Sequence, residues 1–117
     1  MIVVSTRAAV TRDQEAEFAQ RLYDRLGLVE RYPGFARLEV LRPEAVVVDG
    51  QQVGGAAQYL VLTYWTDIAY FLAWTRSDDF RRAHAQRSSA DPFAGPAAFE
   101  VHRLIQTTEG RGAPDGS

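Results

Sequence analysis

The sequence predicts an α+β fold of the ferredoxin-like type, in which helices cover one face of a four-stranded sheet. The first observation is the order of patterns along the chain, where β-branched apolar runs and amphipathic segments alternate as β-α-β-β-α-β. The second is size, because 117 residues with 46% hydrophobic side chains suit one hydrophobic core. We therefore expect a single domain over residues 1–107 and a disordered tail at 108–117.

The first third of the chain predicts a strand and then a helix. Residues 2–10 are rich in β-branched side chains and contain no breaker, which indicates a strand. Thr11 or Asp13 can cap the helix that follows. Apolar side chains then recur at spacings of four, four and three, which is typical of an amphipathic helix: Phe18, Leu22, Leu26 and Val29. Pro33-Gly34 ends this segment.

The next strand is predicted at residues 35–41, where side chains alternate in two sets, one of Phe35, Arg37 and Glu39 and the other of Ala36, Leu38 and Val40. Strict alternation places the two sets on opposite faces of the sheet. Glycine turns around short valine runs predict a hairpin-like insertion at 44–57. The dense apolar run at 59–65 then indicates a central strand.

Two short helices are predicted before the last strand. Thr66-Asp67 caps the first helix, whose helical projection predicts a core face of Ile68, Phe71 and Leu72 with Tyr70 and Trp74 at its flank. Ser77-Asp78-Asp79 is a second cap, and it begins a short helix that carries Phe80, Ala83 and His84. The last strand is predicted at 98–106.

Composition excludes several classes of function. A formal net charge of −2 provides no general cationic field for nucleic acid or anionic lipid. The absence of cysteine excludes disulfides, thiolate metal sites and thiol nucleophiles. No apolar run approaches the length of a membrane span, and the N-terminus does not resemble a secretion signal. We therefore expect a cytoplasmic protein without a nucleic-acid or membrane partner.

One sheet face is left without a cover in this arrangement. The chain has no further helices to place over that face, and an apolar sheet face must be buried against something. Two copies that pack sheet against sheet would bury it, so we predict a homodimer.

Few side chains in the sequence can carry chemistry. Trp74 either seals the edge of its helix or contacts a ligand. His84 follows Phe80 by four residues and shares its face, where a histidine is a hydrogen-bonded core residue, a general base or a single metal ligand. His102 lies near Glu100 in the last strand. Two histidines at this spacing, without cysteine, do not predict a structural zinc site.

Two sets of charged side chains stand out. Arg21 and Arg25 lie one helical turn apart, and they form either a solvated face or a fork for a ligand carboxylate. The run of mixed charge in the short helix is interpreted as surface: Asp78, Asp79, Arg81 and Arg82.

Residues 62–84 resemble the antibiotic biosynthesis monooxygenase superfamily, and within it the IsdG-type haem-degrading oxygenases. The features shared with that group are a tryptophan at the end of a strand, a second tryptophan nine residues later and a histidine ten residues after that, here Trp65, Trp74 and His84. The turn at 33–35 and the helical segment at 21–23 are also similar, so the resemblance covers about residues 1–106. The insertion at 44–57 is longer than the family pattern. The resemblance implies the same ferredoxin-like fold, assembled as a dimeric α+β barrel.

The resemblance also implies roles for individual residues. His84 corresponds to the proximal ligand of haem iron, and Trp74 to the bulky side chain that pushes the porphyrin out of plane. Leu22 and Arg25 fall where pocket residues occur. The family uses an asparagine on the first strand to contact the iron-bound oxygen species, and this chain contains no asparagine. That position falls on Thr6, or on Arg7 if the gap is placed later.

The implied function is oxidative degradation of haem, which serves as both substrate and cofactor, with O2 and an external electron donor. A second hypothesis is a cofactor-independent monooxygenase of the same superfamily, in which Trp74 and His84 bind and deprotonate an aromatic or quinone-forming substrate. A third is a dimeric binding protein without catalysis.

Overall fold

The computed structural model describes residues 1–24, 27–55, 58–83 and 99–112. Four strands, β1 (Ile2–Ala8), β2 (Phe35–Leu41), β5 (Tyr59–Trp65) and β6 (Phe99–Arg103), form one antiparallel sheet. Their order is β2-β5-β1-β6, so β5 and β1 are the two central strands. This topology confirms the predicted α+β, ferredoxin-like fold.

Three helices pack on one face of the sheet: α1 (Glu15–Asp24), α2 (Ile68–Thr75) and α3 (Asp78–Ala83). The predicted caps of the last two are confirmed, because the Asp67 carboxylate accepts the Ala69 N–H at 2.9 Å and the Ser77 hydroxyl accepts the Phe80 N–H at 3.0 Å. None of the helices in these ranges is long and apolar enough to span a bilayer.

The first helix ends earlier than its apolar stripe predicts. Gly27 adopts a φ of 87°, which stops the helical path, and Val29 lies in a separate 3₁₀ turn, Val29–Arg31. Leu26, the third member of the stripe, lies outside the described residues. The turn before β2 depends on Gly34, whose φ is 80° and where a Cβ atom would collide with the Tyr70 ring.

The core lies between the sheet and the helices, in two clusters. The larger surrounds the fully buried Trp65 and includes Ile2 and Val4 of β1 with Phe71 and Trp74 of α2. The smaller joins α1 to the end of the sheet, where Phe18 contacts Tyr59 edge to face at 5.1 Å between ring centroids. These clusters hold α1 and α2 on the same face of the sheet.

The predicted core face of α2 was wrong for two residues, Leu72 and Trp74. Trp74 is buried, with 8% of its surface exposed, whereas Leu72 is 41% exposed. Phe71 and Trp74 are three residues apart and therefore share a helical face, and Leu72 is rotated away from it. Phe71 and Trp74 therefore face the sheet, while Tyr70, the third aromatic side chain of the helix, is 42% exposed.

A β-bulge in β2 overturns the strict alternation predicted there. Phe35 pairs with Trp65 and Arg37 with the adjacent Tyr64, so Ala36 is an extra residue. After the bulge, Leu38 and Val40 lie on the helix-covered face together with Phe35. Arg37 and Glu39 lie on the opposite face, where the Arg37 guanidinium stacks on the Tyr64 ring at 3.8 Å.

The segment between β2 and β5 contains a second, two-stranded sheet. Strands β3 (Val46–Val48) and β4 (Gln51–Gly54) pair as an antiparallel hairpin. Its turn residues Asp49 and Gly50 both have positive φ, 52° and 77°, as a tight hairpin turn requires. Residues 113–117 of the predicted tail lie outside the described residues.

Candidate functional site

A cavity of about 390 Å³ lies between the sheet and the helices, beside the larger core cluster. This volume falls within the range usual for small-molecule sites. Its wall is mainly apolar and aromatic, formed by Val4, Val29, Phe71, Trp74, Phe80 and Phe99. Such a wall suits a flat, largely apolar ligand.

Two threonine hydroxyls are the neutral polar groups of the sheet wall. Thr6 of β1 and Thr63 of β5 both line the cavity. Thr6 lies opposite Val61, and Thr63 lies opposite Val4, so the two threonines are diagonal neighbours across the central strand pair. Diagonal neighbours in a sheet are about 7–8 Å apart. Both hydroxyls are thus presented from the seam between β1 and β5.

The two hydroxyls differ in their partners. Thr63 Oγ1 accepts the indole Nε1–H of Trp65 at 3.0 Å. Thr6 has no side-chain hydrogen bond to any other described residue, and every fully buried side-chain oxygen or nitrogen in the described ranges has a partner. The Thr6 hydroxyl is therefore accessible.

Trp74 is braced from two sides. Its ring meets Tyr32 edge to face at 4.9 Å and Phe80 at 5.6 Å between centroids. Tyr32 in turn donates its hydroxyl hydrogen to the Asp79 carboxylate at 3.0 Å. These contacts connect the turn before β2 to α2 and α3, and they hold the indole against the cavity.

Asp79 is not the simple surface residue that the mixed charge of α3 predicts. Only 20% of its side chain is exposed, because it faces Tyr32 and also lies near two arginines, Arg82 at 3.6 Å and Arg31 at 4.0 Å. The neighbouring Asp78 matches the prediction, with an exposed ion pair to Arg81.

A carboxylate lies at one side of the cavity. Glu30 contributes to the lining, and its carboxylate accepts the Gly27 N–H. The bulged segment of β2, Ala36 to Leu38, lines the cavity next to it. A hydrogen-bond donor or a cationic group of a ligand can therefore approach from this side while the apolar part of the ligand contacts the aromatic wall.

The structure brings three of the sequence-predicted site residues together, since Thr6, Leu22 and Trp74 all line this cavity. Arg7 lies on the opposite face of β1, where its side chain pairs with Glu100 at 3.1 Å. The Arg7 alternative for the distal position therefore does not reach the cavity. His84 and Arg25 lie outside the described residues.

The remaining candidates lie elsewhere. His102 is exposed on the uncovered face of the sheet, opposite Val3 of β1. Arg21 forms an ion pair with Glu17 at 2.7 Å, one turn earlier on α1. No group of three or more histidine, aspartate or glutamate side chains in the described ranges has the arrangement of a metal site.

Sequence reasoning missed Thr63, Tyr32 and Asp79. A signal for Thr63 was present, because strand alternation puts a polar residue at 63 on the same face as the buried Val61 and Trp65. The contacts of Tyr32 and Asp79 had no such signal, since the two residues are 47 positions apart.

The model of the antibiotic biosynthesis monooxygenase family matches residues 1–86, which is most of the chain. The chain belongs to this family. The resemblance seen in the two tryptophans and the histidine is thereby confirmed at the level of the family.

Curated relatives with similar sequences include two bacterial proteins named heme-degrading monooxygenase. The one from Shouchella clausii is 30% identical over 89 residues, which cover 76% of each chain. The one from Bacillus thuringiensis is 32% identical over 87 residues, which cover 74% of each chain.

Solved structures of this family share the fold. The heme-degrader MhuD from Mycobacterium tuberculosis, solved with two hemes in its active site, gives a TM-score of 0.66 at 25% identity, over 93% of this chain and 100% of that one. SnoaB from Streptomyces nogalater, a cofactor-independent oxygenase, gives a TM-score of 0.64 at 19% identity, over 91% of this chain and 94% of that one. The likeness to SnoaB shows the fold alone.

Proposed function

We propose that this monooxygenase-family protein binds haem in the cavity between the sheet and the helices and degrades it oxidatively. The main observation in support of this proposal is a 390 Å³ cavity with an aromatic wall that contains Trp74. The chain is also about 30% identical to proteins named heme-degrading monooxygenase. Haem is then both substrate and cofactor, and O2 and an external electron donor are the other reactants.

The cavity suits a porphyrin in its chemistry. A porphyrin is a flat aromatic macrocycle, and Phe71, Trp74, Phe80 and Phe99 provide aromatic surface on the helix side and at β6. Leu22 contributes apolar surface from α1. Arg25 is a further candidate contact on sequence grounds.

His84 is our candidate ligand of the iron. The chain has two histidines, and His102 is exposed on the face of the sheet away from the cavity. His84 follows α3 directly in the sequence, and Phe80 of α3 lines the cavity. These observations support His84 as the residue that would hold the haem iron, a role that histidine commonly has.

The iron supplies the redox chemistry that activates O2, and the protein supplies binding, orientation and hydrogen bonds. We assign ring distortion to Trp74, because an indole braced by Tyr32 and Phe80 resists displacement by a ligand pressed against it. Thr6 would donate a hydrogen bond to the bound haem or to a small molecule held by it, because its hydroxyl is accessible in the cavity.

The oligomer we propose is a homodimer. All helices in the described ranges pack on one face of the sheet, and the other face presents Val3, Leu60 and Leu62 beside the Arg7–Glu100 ion pair. An apolar centre with a polar rim is the usual make-up of a protein interface. Light scattering should give twice the chain mass of 13.0 kDa at micromolar concentration, and a monomer would contradict the proposal. The cytoplasmic location stays a prediction.

The proposed function is tested by titrating the purified protein with haemin. We expect a Soret band that saturates at a fixed ratio of haemin to protein and decays under O2 with ascorbate. A band that saturates without decaying would support binding without turnover.

Absence of a Soret band, with retained affinity for a hydroxylated polycyclic aromatic compound, would favour the cofactor-independent monooxygenase. The same aromatic wall would then hold an organic substrate directly.

A further inference from the structure

Thr63 is a second hydroxyl in the wall of the cavity, and no motif in the sequence marks it. It lies two residues before Trp65 on the same face of β5, and its oxygen accepts the Trp65 Nε1–H at 3.0 Å. Trp65 has none of its surface exposed, so this indole N–H has no access to water. The contact therefore fixes the position of the Thr63 hydroxyl.

The contact also determines what the hydroxyl can offer. An indole nitrogen is a donor only, so the Thr63 oxygen must be the acceptor of this pair. Its own hydrogen is not donated to any acceptor in the described part of the chain, and the side chain lines the cavity. Because consecutive hydrogen bonds polarise one another, the indole makes this hydroxyl a better donor.

We propose that Thr63, held by Trp65, donates a hydrogen bond to an acceptor atom of the bound ligand and so determines which ligands the cavity selects. This inference rests on the proposed function, in which that acceptor belongs to haem or to a small molecule on its iron. Thr6 is the diagonal neighbour on β1. The selected ligand therefore presents its acceptor over the seam between β1 and β5.

The direct test is the infrared C–O stretch of the reduced, haemin-loaded protein with carbon monoxide bound. A donor near the carbon monoxide oxygen lowers this frequency. We expect Thr63→Val to shift the stretch to higher wavenumber and Thr63→Ser to restore it. The matched control Thr66→Val changes an exposed threonine in the turn after β5 and should leave the stretch unchanged. An unchanged stretch in Thr63→Val would overturn the inference.

Thr63→Val also removes the partner of a buried indole, so its melting temperature is measured first. If this variant does not fold, Thr6→Val provides the test, because Thr63 is then the remaining hydroxyl at the seam. A C–O stretch that still shifts on exchange into D2O supports the inference, and one that does not shift overturns it.

If the protein does not bind haem, the wild type gives no Soret band, and this result is distinct from an unchanged C–O stretch. The probe is then alizarin, a hydroxyanthraquinone with carbonyl acceptors. We expect its Kd to rise about fivefold in Thr63→Val, the loss of roughly one hydrogen bond, and to recover in Thr63→Ser. An equal Kd in wild type and Thr63→Val, or no binding of either probe, would overturn the inference.

Discussion

Tyr32 and Asp79 are joined by a hydrogen bond of 3.0 Å that connects the turn before β2 to the first residues of α3. The same Tyr32 ring packs edge to face on Trp74. One side chain thus contacts both the Trp74 indole and the N-terminal end of α3. Since α3 leads directly to His84, this bond connects two of the proposed haem contacts.

Tyr32→Phe should therefore weaken both stability and haem binding. The ring contact with Trp74 is kept and the hydrogen bond is lost, which costs about 1 kcal/mol. We expect the melting temperature to fall by about 4 °C, measured by circular dichroism. Haemin affinity should fall as well. Tyr23→Phe is the control, because Tyr23 is 69% exposed, and equal losses in the two variants would contradict a specific role for Tyr32.

His84→Ala should abolish the Soret band or weaken it greatly. The other histidine, His102, lies on the uncovered face of the sheet and cannot replace it at the cavity. His102→Ala is the matched control and should bind haemin as the wild type does. Quenching of tryptophan fluorescence gives an independent measure of affinity. Equal haemin affinity in wild type and His84→Ala would show that binding is nonspecific.

Trp74→Phe should separate binding from turnover. Alanine is unsuitable here, because removal of so large a buried side chain costs about 3–5 kcal/mol. Phenylalanine keeps an aromatic contact with Tyr32 and Phe80 but exerts less pressure on a macrocycle. We expect near-normal haemin binding and slower decay of the Soret band with ascorbate. Decay at the wild-type rate would exclude distortion by Trp74 as the relevant effect.

Thr6→Asn should accelerate haem degradation. An asparagine amide offers two N–H donors besides its acceptor oxygen, whereas the threonine hydroxyl offers a single O–H donor. We expect a gain of up to about tenfold, less than the cost usually seen when such a donor is removed entirely. Ser5→Asn is the control, because Ser5 is the next residue on β1 and lies on the opposite face. A similar gain in both variants would rule out a contact in the cavity.

Ionisation of Tyr59 should lower the stability of the protein at alkaline pH. Burial, followed by the hydrogen bond to Glu15 at 3.0 Å, raises the pKa of its phenol above the ordinary 10.0. The unfolded chain therefore loses this proton first, so stability falls as the pH rises above about 10 and stops falling once the folded-state pKa is passed. Urea denaturation from pH 8 to 11 should show a smaller loss in Tyr59→Phe. An identical loss would assign the effect to other groups, such as Tyr64, whose pKa is also raised.

The sequence was sufficient for the fold because its signals are local. Strand β5 begins and ends where its dense apolar run predicts, and Asp67 and Ser77 cap their helices through contacts within three residues. Capping and strand alternation depend on neighbours along the chain, so they can be read without the rest of the molecule.

The candidate site was predicted less completely because it depends on contacts between distant segments. Trp74 could be singled out by its spacing, but its burial depends on Tyr32, which comes from another part of the chain. Asp79 was misplaced on the surface for the same reason. A helical projection also cannot show how α2 is rotated about its own axis on the sheet. This rotation exposes Leu72 and buries Trp74.

The bulge at Ala36 has a consequence for how β2 tolerates changes in length. Deletion of Ala36 would let Phe35 and Arg37 pair regularly with Trp65 and Tyr64, and every later residue would keep its side of the sheet. Deletion of a residue within 38–41 would instead exchange the two sides for the residues beyond it. The strand can thus lose Ala36 while its other side chains stay on their own faces of the sheet. Family members with a shorter β2 are expected to lack a residue at this position.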